Sequence, residues 1–194
     1  MKNLPKLLIG TGVILVILSL ALFAYIFAPV AKVEIEYQIS KKLTIDQITP
    51  KDKKFGIIIP KINANSSIIQ QVDPFNSKVY QYALTKGVAQ ARGTSFPIED
   101  GNMFLFSHSS VNLLEARTFN SIFYLLSKLK KSDEVYIYYK NVRYKYVVSE
   151  TKIVDATAVS YLGSNDNGKT LTLMTCWPAG TNYKRLLVIA KQVK

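Results

Sequence analysis

The chain has 194 residues, 48% of them hydrophobic and including 12 Tyr and 9 Phe, so it carries enough apolar surface for a core and does not fit a disordered polymer. Its 25 Lys and Arg against 13 Asp and Glu give a net charge of +12. The basic residues are scattered and stand beside no helix-turn-helix, zinc-ligand or RNP-like pattern, which argues against a nucleic-acid partner. A body of this charge is either drawn to anionic lipid head groups or wall polymers, or simply kept soluble by it.

Leu7 to Ala28 runs without a charge. As a helix it would be about 33 Å long, enough to cross a bilayer core. That exceeds the apolar region of a cleaved signal peptide, so the expectation is a transmembrane signal anchor at 7–28 behind a short cytoplasmic tail at 1–6. Lys2 and Lys6 precede the span while Lys32, Glu34 and Glu36 follow it, which favours an extracytoplasmic body; Lys41 and Lys42 pull the other way. The expected location is the cell membrane, crossed once, with the lipid bilayer as a partner. Residues 29–54 mix charge with Ile35, Ile39, Leu43 and Ile48 at loosely helical spacing and read as a stalk. A single folded domain is expected at 55–194, with no internal repeat.

In chain order, FGIIIPKI from Phe55 is a β-branched run interrupted by Pro60, which predicts a strand at a sheet edge or a bulge. Asp73-Pro74-Phe75 reads as a turn. Further strands are predicted at Asn102 to Phe106, Glu134 to Tyr139, Tyr144 to Ser149, Lys169 to Thr175 and Arg185 to Gln192. EVYIYYK and YKYVVSE alternate around Lys140 to Arg143, predicting an antiparallel hairpin with Asn141 in its turn. Ile122, Phe123, Leu126 and Leu129 fall at helical spacing ahead of Lys130 and Lys131, which predicts one helix. Asn165 to Gly168 marks a turn before the last strands.

Cys176 has no second cysteine to pair with, so in an exported domain it remains a free thiol. A lone cysteine is ordinarily a small buried hydrophobe, but this one ends the alternating strand KTLTLMTC and precedes Trp177-Pro178-Ala179-Gly180, where a loop opens access. The short connection to Arg185 lets an antiparallel return bring a guanidinium beside the thiol. His108, the sole histidine, likewise follows a strand, NMFLF, and meets a polar stretch. Acyl transfer through a thioester needs a nucleophile, a proton donor for the leaving amine and donors for the oxyanion, and these three residue types supply them. Cys and His occur once each and acids stand adjacent only at Glu99-Asp100 and Asp133-Glu134, so no metal and no cofactor is expected.

Thr172-Leu173-Met174-Thr175-Cys176 resembles the TLxTC signature of sortases, with Arg185 opening the next strand as their arginine does. Ile59-Pro60-Lys61-Ile62 resembles the family's first-strand IPKI, Gly87-Val88-Ala89 its GVA segment, and Gly101-Asn102 the GN before the histidine strand. The resemblance covers most of the body from Phe55 to Lys191. It implies a mainly β fold, a closed barrel of about eight strands with short helices behind one N-terminal transmembrane helix. It implies Cys176 as nucleophile, His108 as acid and base, Arg185 as electrostatic stabiliser, and Thr175 as a substrate-binding residue. The implied reaction cleaves an LPxTG-like sorting signal between Thr and Gly and passes the acyl group to an amine. Partners would be surface proteins with a C-terminal sorting signal and an amine acceptor such as a cell-wall precursor. Ser107 replaces the glycine usual before the histidine, Gln90 replaces a histidine often found after GVA, and Ser132-Asp133 stands where Gly-Asp is common. Asp155 occupies a place often filled by proline. The short CWPAGTNYKR connection is similar to class D or E members. Two other readings stay open: a membrane-anchored cysteine hydrolase, and a non-catalytic barrel that binds wall polymer.

Overall fold

The computed structural model describes residues 4–39, 44–109, 122–163 and 168–193. It divides into two units, 1–39 and 40–194. The first is one helix, α1 (Leu4–Ile39), and its stretch Leu8–Ala28 is long and apolar enough to cross a membrane. Leu15, Ile17, Leu20 and Phe23 are exposed along it, as a lipid-facing helix requires. The helix continues past residue 28, so the first part of the expected stalk is helical.

The second unit is built on eight strands: β1 (Phe55–Ile59), β2 (Ala64–Val72), β3 (Val88–Ala91), β4 (Gly101–Phe106), β5 (Glu134–Tyr139), β6 (Val142–Asp155), β7 (Lys169–Trp177) and β8 (Lys184–Val193). They close into a barrel in the order β1-β2-β3-β4-β7-β8-β6-β5. The β2–β3 and β4–β7 neighbours are parallel and the other pairs antiparallel. Closure removes every edge, so Pro60 is not in an edge strand. It begins a 3₁₀ turn, Pro60–Ile62, at the end of β1, where its missing N–H costs nothing.

Period-two alternation sets the inside of the barrel. Leu105, Leu173 and Val188 are register partners across β4, β7 and β8, and Ile57 faces Ile137 across β1 and β5; all five are fully buried. The outer face of β3, β4, β7 and β8 carries a second apolar layer, with Phe104, Phe106, Ala89 and Leu187 under Ala83 and Leu84 of helix α2 (Ser77–Lys86). That helix begins where the Asn76 side chain accepts the Val79 N–H and ends at Gly87. A Cβ at Gly87 would stand 2.4 Å from the Ser67 carbonyl oxygen, so only glycine lets the chain turn from α2 into β3 beside β2. Asp73 accepts the Phe75 N–H in the turn that precedes α2.

The β5–β6 hairpin forms as its alternation predicts, with Lys140 and Asn141 both at positive φ in the two-residue turn. β6 runs on to Asp155, well beyond the expected end at Ser149. The helix expected over Ile122 to Leu129 is instead a 3₁₀ helix, Tyr124–Lys128. Phe123, Leu126 and Leu129 recur at intervals of three, the 3₁₀ period, and the N–H groups of Leu126 and Leu129 each bond three residues back. The predicted turn Asn165 to Gly168 falls largely outside the described residues. Ser132 takes φ 75°, the left-handed backbone that makes glycine common at this place. Gln90 is buried and donates to the carbonyls of Thr94 and Ser95, holding the β3–β4 connection.

Where β5 meets β6, hydrogen bonds from Lys145 and then Tyr136 hold the Glu134 carboxyl below its ordinary 4.5, against a smaller opposing effect of burial. Burial and the Glu134 contact push the Tyr136 phenol up to about 12. A depressed carboxyl stabilises the fold above its unfolded value and loses that contribution as pH falls through the lowered one. Thermal melts of Glu134→Gln are therefore expected to fall below wild type at neutral pH. The gap should close below about pH 4. A gap that persists into strong acid would mean the carboxylate charge contributes nothing.

Candidate active site

Three adjacent strands carry the candidate residues, in the spatial order β4, β7, β8. Cys176 lies one residue before the end of β7, and Arg185 is its antiparallel register partner on β8. Partners of this kind have Cα atoms about 5 Å apart and project from the same face. Both side chains are half-buried. The parallel β4–β7 ladder ends at Phe106 opposite Met174, a pair closed by the Ser107 N–H donating to the Met174 carbonyl at 3.2 Å. His108 follows two residues beyond Phe106 at the end of β4, as Cys176 follows two residues beyond Met174 on β7. His108 is buried. The backbone thus pairs Cys176 with Arg185 and places His108 just past the end of the neighbouring strand β4.

The ends of β4 and β7 are tied together by side chains as well. Thr175 is buried, and its hydroxyl donates to the Ser107 carbonyl at 2.9 Å, tying the ends of β4 and β7 together beside the thiol. Near the opposite end of the same ladder, the buried Asn102 carboxamide oxygen accepts from the hydroxyls of Thr172 at 2.9 Å and Thr170 at 3.3 Å. Its amide donates to the Tyr161 carbonyl at 3.1 Å, in the segment between β6 and β7. Asn102→Ala strips the acceptor from the buried Thr172 hydroxyl, while Thr170 keeps the Gly101 carbonyl at 3.2 Å, and denaturant unfolding is expected to show a loss of about 1–3 kcal/mol. An unchanged midpoint would show that the Thr172 hydroxyl finds another acceptor.

Arg185 donates to the carbonyls of Asn182 at 3.1 Å and Lys184 at 3.0 Å, so the β7–β8 connection positions the guanidinium. The Trp177-Pro178 bond in that connection is cis. Alternation puts Met174 and Cys176 on the outer face of β7 and Leu173 and Thr175 inside. The thiol therefore borders the outer apolar layer, where Phe106 and Leu187 form the floor and Met174, Val154, Tyr161 and Leu162 are partly exposed around it. Such a surface accommodates an extended peptide with apolar side chains alongside a nucleophile. Among the described residues no three His, Cys, Asp or Glu side chains gather as a metal set.

The three candidate residues named from the sequence fall at or just past the ends of adjacent strands, whereas the role of Asn102 is not among the sequence expectations, although the quoted Gly101-Asn102 pair contains it. A polar residue opening an apolar strand opposite a Thr-x-Thr pattern was the available signal.

A family model for the sortase domain matches residues 57–193. Sortase D of Bacillus subtilis strain 168 is 28% identical over 142 residues, covering 71% of this chain and 63% of that protein. The chain thus spans under two thirds of the length of this curated relative. Among solved structures, sortase A from Corynebacterium diphtheriae superposes with a TM-score of 0.61 at 26% identity, covering 76% of this chain and 64% of that one. Sortase C1 from Streptococcus suis gives 0.61 at 26% identity, with 74% of each chain covered. The closed eight-stranded barrel is the fold expected from the motifs, and the similarity to a sortase D agrees with the class D or E reading.

Proposed function

The chain belongs to the sortase family, and from that premise we propose that it is a membrane-anchored cysteine transpeptidase that joins surface proteins to an amine acceptor. The observation that supports this most is the pairing of a half-exposed Cys176 with Arg185 across one ladder, with His108 just past the end of the neighbouring strand β4. In the proposed first half-reaction the Cys176 sulfur, as thiolate, attacks the threonine carbonyl carbon of an LPxTG-like signal. The C=O electron pair moves onto oxygen, and the Arg185 guanidinium donates hydrogen bonds to that oxyanion. As the oxyanion collapses, the C–N bond to glycine breaks and His108 protonates the departing amine. A thioester on Cys176 remains.

In the second half an acceptor amine attacks the thioester carbonyl, His108 takes its proton, and the sulfur leaves as thiolate. A new amide bond forms and the enzyme returns to its starting state. Thr175 serves here as a positioning residue, through its bond to the Ser107 carbonyl. The apolar layer around Met174 and Leu162 is the proposed bed for the signal peptide. The Leu8–Ala28 helix is proposed as the single-pass anchor, with the barrel outside the cytoplasm; Lys2 and Lys6 before the span support that orientation.

The test incubates the full chain in detergent with LPxTG-type peptides and an amine acceptor, and follows products by mass spectrometry. Threonine joined to the acceptor is the expected product. Cleavage that yields free threonine acid even at saturating amine would instead identify a hydrolase. A folded protein that binds wall polymer and forms no thioester with any peptide of the panel would leave the binding reading in its place.

A further inference from the structure

The end of the barrel farthest from Cys176 has a charge pattern of its own. Val142 pairs with Tyr139 and Lys145 with Val193 at one end of β6, whereas Val154 pairs with Arg185 at the other. From Arg143 to Val154 the strand path is roughly 35 Å. At the far pole the Lys140 N–H donates to the Lys54 carbonyl and the Asn141 N–H to the Lys53 carbonyl, both at 2.9 Å. The hairpin tip is thereby fastened to the segment that leads into β1.

Lys51, Lys53, Lys54, Lys140 and Arg143 are all exposed on this pole. The nearby acids are already engaged. Asp46 pairs with Arg143 at 3.0 Å, and Asp52 accepts the N–H groups of Lys54 at 2.7 Å and Phe55 at 3.2 Å. Among the described residues none of the four lysines has a carboxylate within ion-pair distance. Lys140 lies 5.2 Å over the Tyr139 ring. Among these cations the hairpin tip also presents Val142, which is 51% exposed.

We propose that this pole seats on anionic phospholipid head groups, with the four lysines over the phosphates and Val142 entering the head-group layer. The inference rests on the membrane-anchoring reading above. Residues 29–43 separate the apolar span from the described start of the barrel unit, and so few residues reach at most about 50 Å, which keeps the barrel within range of the lipid surface. An exposed apolar tip ringed by ammonium groups matches an interface that offers charge first and hydrocarbon beneath. A wall polymer offers the charge without the apolar layer. Seating this pole on lipid turns the Cys176 pole toward the incoming acceptor.

Cys176 is the sole cysteine, so Cys176→Ala with Val142→Cys permits one environment-sensitive label at the tip. The full chain is reconstituted in vesicles of phosphatidylcholine alone or mixed with phosphatidylglycerol. The expected result is a blue-shifted emission in the mixed vesicles only. It should be reversed by about 0.5 M salt, where the Debye length is only a few ångströms. Each ammonium at such a surface strengthens contact about fivefold, so Lys53→Gln, Lys54→Gln and Lys140→Gln together should weaken it about 100-fold. An unshifted melting temperature of that triple variant shows that the fold is intact. Identical emission in both vesicle types would overturn the proposal. So would an equal response to soluble polyglutamate with neutral vesicles, which would make the pole a site for acidic polymers. Flotation with neutral vesicles tests anchoring separately: failure to float would sink the anchor and leave the label's response to added anionic vesicles to decide the pole.

Discussion

Cys176→Ala is expected to lower the turnover of a sorting-signal peptide by about 10⁴-fold or more, to the uncatalysed background. The size follows from the kind of reaction. Without sulfur no thioester forms, and the remaining groups can only polarise a carbonyl that water attacks slowly. The fold should tolerate the change, because Cys176 is half-buried near a strand end whose position is set by Thr175 and by the β7–β8 ladder. Peptide affinity should therefore stay near wild type, and the melting temperature with it. Mass spectrometry supplies a second reading: wild type trapped without an acceptor should carry the acyl fragment on Cys176, and the variant should carry none. If the variant still turns over peptide, the thiol is structural and the acyl-transfer scheme fails.

How far the site could be read from sequence depended on which strands had to meet. Cys176 and Arg185 belong to consecutive strands joined by a short connection, so their pairing follows from an ordinary antiparallel return. His108 follows β4, whose parallel pairing with β7 joins strands far apart in sequence, and no local pattern announces a parallel neighbour. Its position at a strand end and the family resemblance point to it; the ladder itself carries β4 alongside β7 as far as Phe106 and Met174.

The same distinction runs through the fold. The β5–β6 hairpin was legible because alternation and turn chemistry agree locally. β2, with sequence ANSSIIQQV, was not, since its inward Ala64 and Ser66 are small or polar and barrel closure supplies the pairing that composition does not. Helix α2 buries only Ala83 and Leu84, too few for a clear periodic signal, although Asn76 and Gly87 mark its two ends. The segment around Leu126 shows the opposite error, in which an interval of three was taken for an α-helical one.

Arg185→Ala is expected to cost about 10²–10³ in kcat, the usual loss when one oxyanion donor is removed from an acyl-transfer site. Its place beside Cys176 is determined by the β7–β8 register, and its guanidinium is further oriented by the Asn182 and Lys184 carbonyls. Those two bonds engage one nitrogen and leave other N–H groups of the fork for the substrate. Arg185→Lys should recover little, because an ammonium keeps the charge but loses the planar fork that serves the backbone carbonyls and the oxyanion together. Kinetics distinguish the roles. A fall in kcat with KM nearly unchanged places Arg185 on the developing oxyanion, while a rise in KM alone places it on the bound peptide. Loss of both together with a lowered melting temperature would make it a strut of the β7–β8 connection. In that case stabilisation of the oxyanion would have to come from donors other than Arg185, with backbone N–H groups beside Cys176 the first to test.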